Sequence, residues 1–130
     1  VDRENGIWKL MSQAQDEGLE KAKLELPPYT EFDREPLPSV YKLFSDEITP
    51  REILDEIDKA GVDGAQREKR LFYAELYIGM NHLIRGEKTP AIEHLRKTVP
   101  NTWASKGQGG PNYMWHLARV QYELLTQAKD

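Results

Sequence analysis

Two copies of one helix-start signal, Thr49-Pro50 and Thr89-Pro90, stand 40 residues apart (49 to 89), and this limits the possible folds more than any other feature. A threonine just ahead of a helix can accept a bond from an unpaired N–H of the first turn, and proline suits the first helical position because it has no N–H to leave orphaned. The first copy is the fuller one. In Ile48-Thr49-Pro50-Arg51-Glu52-Ile53, Glu52 completes a capping box and Ile48 can staple onto Ile53. Starts that return at this interval suit stacked helix pairs, because one pair cannot bury its apolar face alone.

The remaining punctuation fits the same plan. Ile7, Leu10, Met11 and Ala14 have helical spacing and lead into a charged stretch, Glu17, Glu20, Lys21, Lys23 and Glu25, so residues 2–26 read as one helix or two with a break near Gly18. Pro27-Pro28 must end that segment, and 27–38, which includes Pro36, reads as a loop or extended strap. Leu37, Val40, Tyr41 and Phe44 form a short apolar stripe, and Ile53, Leu54, Ile57 and Ala60 form another that stops at Gly61. Asp63 with Gln66 predicts a further cap, opening a helix of about five turns through Leu71, Ala74, Leu76, Ile78, Met80, Leu83 and Ile84 to Gly86. Thr89-Pro90 opens the next, with Ala91, Ile92, Leu95 and Val99, closed by Pro100. Gly107-Gln108-Gly109-Gly110-Pro111 is a flexible loop with proline at a helix start, and Met114, Leu117, Ala118, Val120, Leu124 and Leu125 mark the last helix. No period-2 alternation marks a strand. The expectation is an all-α chain of six or seven helices, with 1–36 an N-terminal helical segment plus proline strap and 37–130 a helical repeat domain.

Composition narrows function. The 130 residues are 38% hydrophobic, without cysteine, and carry a net charge of −4, which suits one globular domain and excludes thiol catalysis and cysteine-ligated zinc. The basic residues Arg67, Lys69, Arg70, Lys88, Arg96 and Lys97 are interleaved with acids and apolar residues, so no concentrated phosphate-binding face is expected and nucleic acid is set aside as a partner. No apolar run approaches the roughly 18 residues that span a bilayer. The start Val1-Asp2-Arg3, without a signal-peptide core, suits a mature product or an excised piece.

Aligning the pairs gives Ile78 and Gly79 on one helix, Gly86 at the turn, and Ala91 and Leu95 on the next. Gly79 and Ala91 would let two antiparallel helices approach closely while Ile78 and Leu95 fill the space beside them. The same frame selects Leu37, Val40, Phe44, Ile53, Ile57 and Ala60 earlier, and puts Met114, Leu117 and Ala118 at the places of Glu75, Ile78 and Gly79. This spacing resembles the tetratricopeptide repeat (TPR), in degenerate form: Glu75 stands for the usual aromatic, His82 for tyrosine and Tyr41 for glycine. From Leu37 to Leu125 the order of features resembles more narrowly the C-terminal half of NlpI-like TPR lipoproteins, through Ser39-Val40-Tyr41-Lys42-Leu43-Phe44 with Ile48-Thr49, Phe72-Tyr73-Ala74-Glu75-Leu76-Tyr77-Ile78-Gly79, and Leu83-Ile84-Arg85-Gly86-Glu87 with Ala91. The resemblance implies a helical adaptor that docks other proteins in the bacterial cell envelope. There is no lipobox cysteine to anchor it.

In such arrays the first helix of each pair lines the concave surface. That reading exposes Tyr73, Leu76, Tyr77, Met80 and Leu83, and on the last helix Asn112, Trp115, His116, Arg119 and Tyr122, as the groove for a protein or peptide partner. The alternative is that the last helix caps the first set and leaves it as core. Ile7, Trp8 and Met11 could pack on the array, on a second copy or within a larger complex. Of the three histidines, His82 reads as a hydrogen-bonded core residue and His94 as part of a solvated face beside Glu93 and Arg96. Zinc binding by His82, His94 and His116 with Glu93 would need them to converge. The carboxylates stand mostly within helical reach of Lys or Arg, as Asp55 and Glu56 do of Lys59, and the glycine-rich 107–110 lacks a phosphate-loop ending. The expectation is a non-catalytic adaptor without cofactor or metal. The alternative is a structural accessory subunit permanently buried in a larger assembly.

Overall fold

Eight helices follow from where the backbone can and cannot continue its i to i−4 bonding. They are seen in a computed structural model that describes residues 3–24 and 35–127. Helix α1 (Arg3–Glu17) and α2 (Leu19–Leu24) are separated at Gly18, whose φ of +93° only glycine adopts freely. They are followed by α3 (Leu37–Phe44), α4 (Pro50–Lys59), α5 (Gly64–Ile84), α6 (Lys88–Arg96), a single turn α7 (Thr102–Ser105), and α8 (Gly110–Gln127). The described residues contain no strand, so the chain is all-α. Most of the expected proline strap lies outside the described residues. At its far end Leu37 and Pro38 already belong to α3, where Pro38 sits in the first turn and lacks only an N–H that would be unpaired there anyway.

The helix starts differ in how well their local chemistry was read. At α4 the capping box is complete: Thr49 Oγ1 accepts from the Glu52 N–H at 3.2 Å, and Glu52 Oε1 accepts from the Thr49 N–H at 3.0 Å. At α5, Asp63 holds the extended cap conformation but its carboxylate makes no capping bond, which corrects that expectation. At α6 the helix begins one residue ahead of Thr89, with Glu87 at the cap position and no side-chain cap. Thr89 and Pro90 therefore sit inside the first turn, where proline is tolerated because first-turn N–H groups lack helical partners. The Glu87 carboxylate is instead engaged by His82 Nδ1 at 2.8 Å. Residues 97–100 form turns, so Val99 is not helical. The glycine-rich stretch is preceded by the unforeseen α7, which exists because Asn101 Oδ1 accepts from the Ala104 N–H at 3.0 Å while its Nδ2 donates to the Glu68 carbonyl at 2.9 Å.

Helices α3 and α4 form one hairpin, tied by Ser39 Oγ donating to Glu56. Helices α5 and α6 form a second, antiparallel one: Glu75 meets His94 toward one end and His82 meets Glu87 at the other. Between them lies the expected close approach. A methyl group on Gly79 would stand 2.7 Å from Leu95 Cγ and 3.3 Å from the Ala91 carbonyl oxygen. Asp46, just after α3, receives Arg85 at the end of α5, so α3 and α5 run side by side in the same direction. Trp115 near the start of α8 donates to the carbonyl of Val99 beyond the end of α6, so α8 runs back along α6 and shares the direction of α5. Helices α3, α5 and α8 thus run in one direction, and α1 packs on α3 and α5.

One core joins both parts of the chain: Ile7, Leu10 and Met11 of α1 are buried with Val40, Phe44, Ile53, Phe72, Ile78, Leu95 and Ala118. Each large apolar side chain so buried contributes about 1.5–3 kcal/mol. Ile53 and Ile57 are the buried residues of α4, while Ala60, expected to be apolar-facing, is exposed at its C-terminus. Helix α8 differs from the rest, since only Ala118 of its 18 residues is fully buried.

Candidate functional site

The site is built on α5. From Phe72 to Asn81 every residue of this helix is buried, because helices pack on all its sides. Trp8 of α1 donates its indole N–H to the Tyr77 hydroxyl at 3.2 Å and sets its ring edge-on to that tyrosine, centroids 6.1 Å apart. Tyr73 stacks on Tyr77 at 6.5 Å, and Trp103 of α7 meets Tyr73 edge-on at 5.9 Å. Tyr73, Leu76 and Tyr77 are therefore interior residues, which corrects their assignment to an open partner groove. They are core, but the cover comes from α1 and α7 rather than from the last helix. Ile7 and Met11 are buried in the same packing and Trp8 is half-buried, so the face they form packs on the array.

What stays open is a cleft of about 360 Å³ between α1, the second half of α5 and α8. Trp8, Met11 and Ala14 form one wall and Met80, Leu83 and Ile84 the other, while Ser12, Gln15 and Gln121 supply the polar groups. Met80 and Leu83 both line this cleft, although Met80 is itself buried. A second depression of about 490 Å³ lies between the start of α5 and α7, around Arg67, Glu68, Leu71, Thr102 and Trp103. It is larger but shallower, and two of its charged groups are engaged: Arg67 with Asp58 at 2.7 Å, and Glu68 with Thr102 at 3.1 Å. The first cleft is the better recess for an apolar anchor, since depth removes more of a side chain from water.

The residues expected from α8 do other work. Asn112 Nδ2 donates to the Ser105 carbonyl at 2.9 Å, and Trp115 Nε1 donates to the Val99 carbonyl at 3.1 Å, so both fasten α8 to the turns before it. Arg119 lies over the Trp115 ring at 5.8 Å and pairs with Glu123 at 2.8 Å; Tyr122 is half-buried against the core, and His116 is exposed, edge-on to Trp115. None of the five lines the cleft, and the α8 residue that does is Gln121, which sequence reasoning passed over. Ala118 is interior, whereas Leu117 is only partly buried.

Two of the three histidines are engaged by carboxylates, His82 by Glu87 and His94 by Glu75. His94 is not on a solvated face; its Nδ1 lies 2.8 Å from Oε2 of Glu75, which is 5% exposed. Its ring stacks on that of His82 at 5.5 Å. The departure at position 75 from the repeat pattern is thus matched by a polar partner on the facing helix. Among the described residues no group of three or more His, Asp or Glu side chains is placed to hold a metal ion.

At the other end, Asp46 joins three elements by accepting from Lys23 of α2 and Arg85 of α5. The hydrogen bond from Lys23, helped by Arg85, holds the Asp46 carboxyl below its ordinary range against the opposing effect of burial, and Asp46 correspondingly raises Lys23. Among the described residues no helix is long and apolar enough to cross a membrane. Comparison with protein-family models, with curated proteins and with solved structures finds no match to this chain.

Proposed function

We propose that this chain is a non-catalytic adaptor of degenerate TPR type that holds a segment of another protein in the cleft between α1, α5 and α8. One observation carries the reading: α1 packs on α3 and α5, and beside it lies an apolar recess flanked by the side-chain amides of Gln15 and, from α8, Gln121. A recess of this size takes one or two large side chains rather than a whole helix. The partner segment is therefore read as short, with an aliphatic or aromatic anchor and main-chain groups that the two amides can meet. The resemblance of 37–125 to NlpI-like lipoproteins supports the adaptor reading and, with it, a bacterial cell-envelope setting.

A second reading, a structural subunit of a larger assembly, is favoured by Tyr113, Val120 and Leu124 on α8, which are large, apolar and exposed. The cleft reading is tested by affinity capture from native extract with wild type, Leu83→Glu in the cleft, and Lys59→Glu on an exposed, distant surface, all matched for melting temperature. A partner held by wild type and Lys59→Glu but lost with Leu83→Glu is the expected result. Capture that is indifferent to Leu83→Glu overturns the cleft as the site.

A further inference from the structure

Helix α8 carries a second apolar line, on the side away from α6. Tyr113, Leu117, Val120 and Leu124 follow one another at intervals of four, three and four residues. Tyr113 is 69% exposed, Leu124 58% and Val120 41%, and Leu117 between them is partly buried. The opposite side of the same helix is the one in use: Met114, Trp115, Tyr122 and Leu125 pack inward around Ala118. The 4-3-4 interval is that of a coiled-coil seam, and the line runs roughly 16 Å along the helix at about 1.5 Å per residue.

We propose that this seam is the contact between two copies of the chain, with α8 paired antiparallel to α8 of the second copy. The sequence of the helix selects that occupant because the line complements itself under a two-fold axis between Leu117 and Val120. Tyr113 then meets Leu124 of the second copy, and Leu117 meets Val120 of the second copy, so all four seam residues find apolar partners. The flanks agree. His116 and Glu123 border the seam on one side, one heptad apart, and antiparallel pairing sets each His116 beside Glu123 of the second copy, twice over. Imidazole can donate to that carboxylate, whose several acceptor positions leave room beside its bond from Arg119. On the other side no like charges come into contact. A parallel pair would set Glu123 opposite no basic residue. The interface is independent of the cleft reading. A single helix pair of this length falls short of the roughly 1,200 Å² typical of stable complexes, so the dimer is weak and concentration-dependent.

Sedimentation velocity of the full chain, from about 5 to about 500 µM to cover the weak range of such interfaces, tests this. Wild type should pass from monomer to dimer. Val120→Glu, with Leu124→Glu as a second seam variant, should stay monomeric with unchanged helical signal and melting temperature. His116→Glu should raise the dissociation constant by about 5-fold or more, because two Glu–Glu contacts replace two His–Glu contacts, and His116→Glu/Glu123→Lys should restore it to near the wild-type value. A monomer throughout, as expected if another protein's helix covers the seam, overturns the proposal. A dimer untouched by the seam variants also does so, and so does one that ignores the charge exchange.

Discussion

Replacing Gly79 by alanine tests the contact on which the α5–α6 pair depends. In an exposed helix interior this change is favourable, since alanine is preferred to glycine by about 1 kcal/mol. Here the new methyl would sit 2.7 Å from Leu95 Cγ and 3.0 Å from Leu95 Cδ2, well inside contact distance, and 3.3 Å from the Ala91 carbonyl oxygen. Leu95 is fully buried and cannot swing into solvent, and the Ala91 oxygen is backbone, so relief requires the two helices to separate. Overpacking of this kind costs about 2–3 kcal/mol, which outweighs the propensity gain and leaves a net loss of about 1–2 kcal/mol. For a chain of this length that lowers the melting temperature by roughly 4–7 °C. Thermal and urea unfolding followed by circular dichroism measure it. The reasoning also fixes a non-additive result: Leu95→Ala alone leaves a cavity and costs about 2–5 kcal/mol, but in the double variant the methyl introduced by Gly79→Ala occupies vacated space, so the pair should lose about 1–2 kcal/mol less than the sum. A Gly79→Ala variant as stable as wild type, or more so, would refute the close approach.

Three further outcomes are expected. His94→Ala leaves the Glu75 carboxylate buried without its partner and should destabilise by about 1–3 kcal/mol; His94→Leu/Glu75→Leu should recover much of that in urea unfolding. Trp8→Phe keeps the ring against Tyr77 but removes the 3.2 Å bond, and should lower stability by about 1 kcal/mol, whereas Trp8→Ala should also raise amide exchange throughout α1. Asp46→Asn tolerates the residue's φ of +64° and removes only charge. Asp46 is lowered in the folded state, so its contribution is present above its ordinary 3.8 and lost as acid titrates the folded carboxylate; Lys23 is raised, so its contribution is complete below its ordinary 10.5 and lost above the folded value. Wild type should therefore lose more stability than Asp46→Asn below about pH 4, with the two curves parallel near neutrality; identical acid limbs would show that the Lys23–Asp46–Arg85 junction carries no linked protons.

What could be read beforehand follows from how far each signal reaches along the chain. The Thr49–Glu52 box and the Gly18 break are decided within four residues, and both stand as the local chemistry requires. Thr89-Pro90 carries the same letters as Thr49-Pro50 yet lies inside the first turn of α6, whose cap position is taken by Glu87, itself paired with His82. Glu75 looked like a defect in the repeat until the facing helix supplied His94, a relation between positions 19 residues apart that no local pattern contains. The largest error, the open groove at Tyr73, Leu76 and Tyr77, came from assigning α5 a solvent face by repeat frame. A helix with one exposed side alternates apolar and polar residues with period 3.6, whereas one enclosed on all sides has no such alternation. Phe72-Tyr73-Ala74-Glu75-Leu76-Tyr77-Ile78-Gly79-Met80 holds a single charged residue over more than two turns, and that residue is the one paired inside. This composition already describes an enclosed helix and leaves its cover to be found elsewhere in the chain. The amphipathic segment around Ile7, Trp8 and Met11 had an apolar face without an assigned partner, and in the structure the two needs meet.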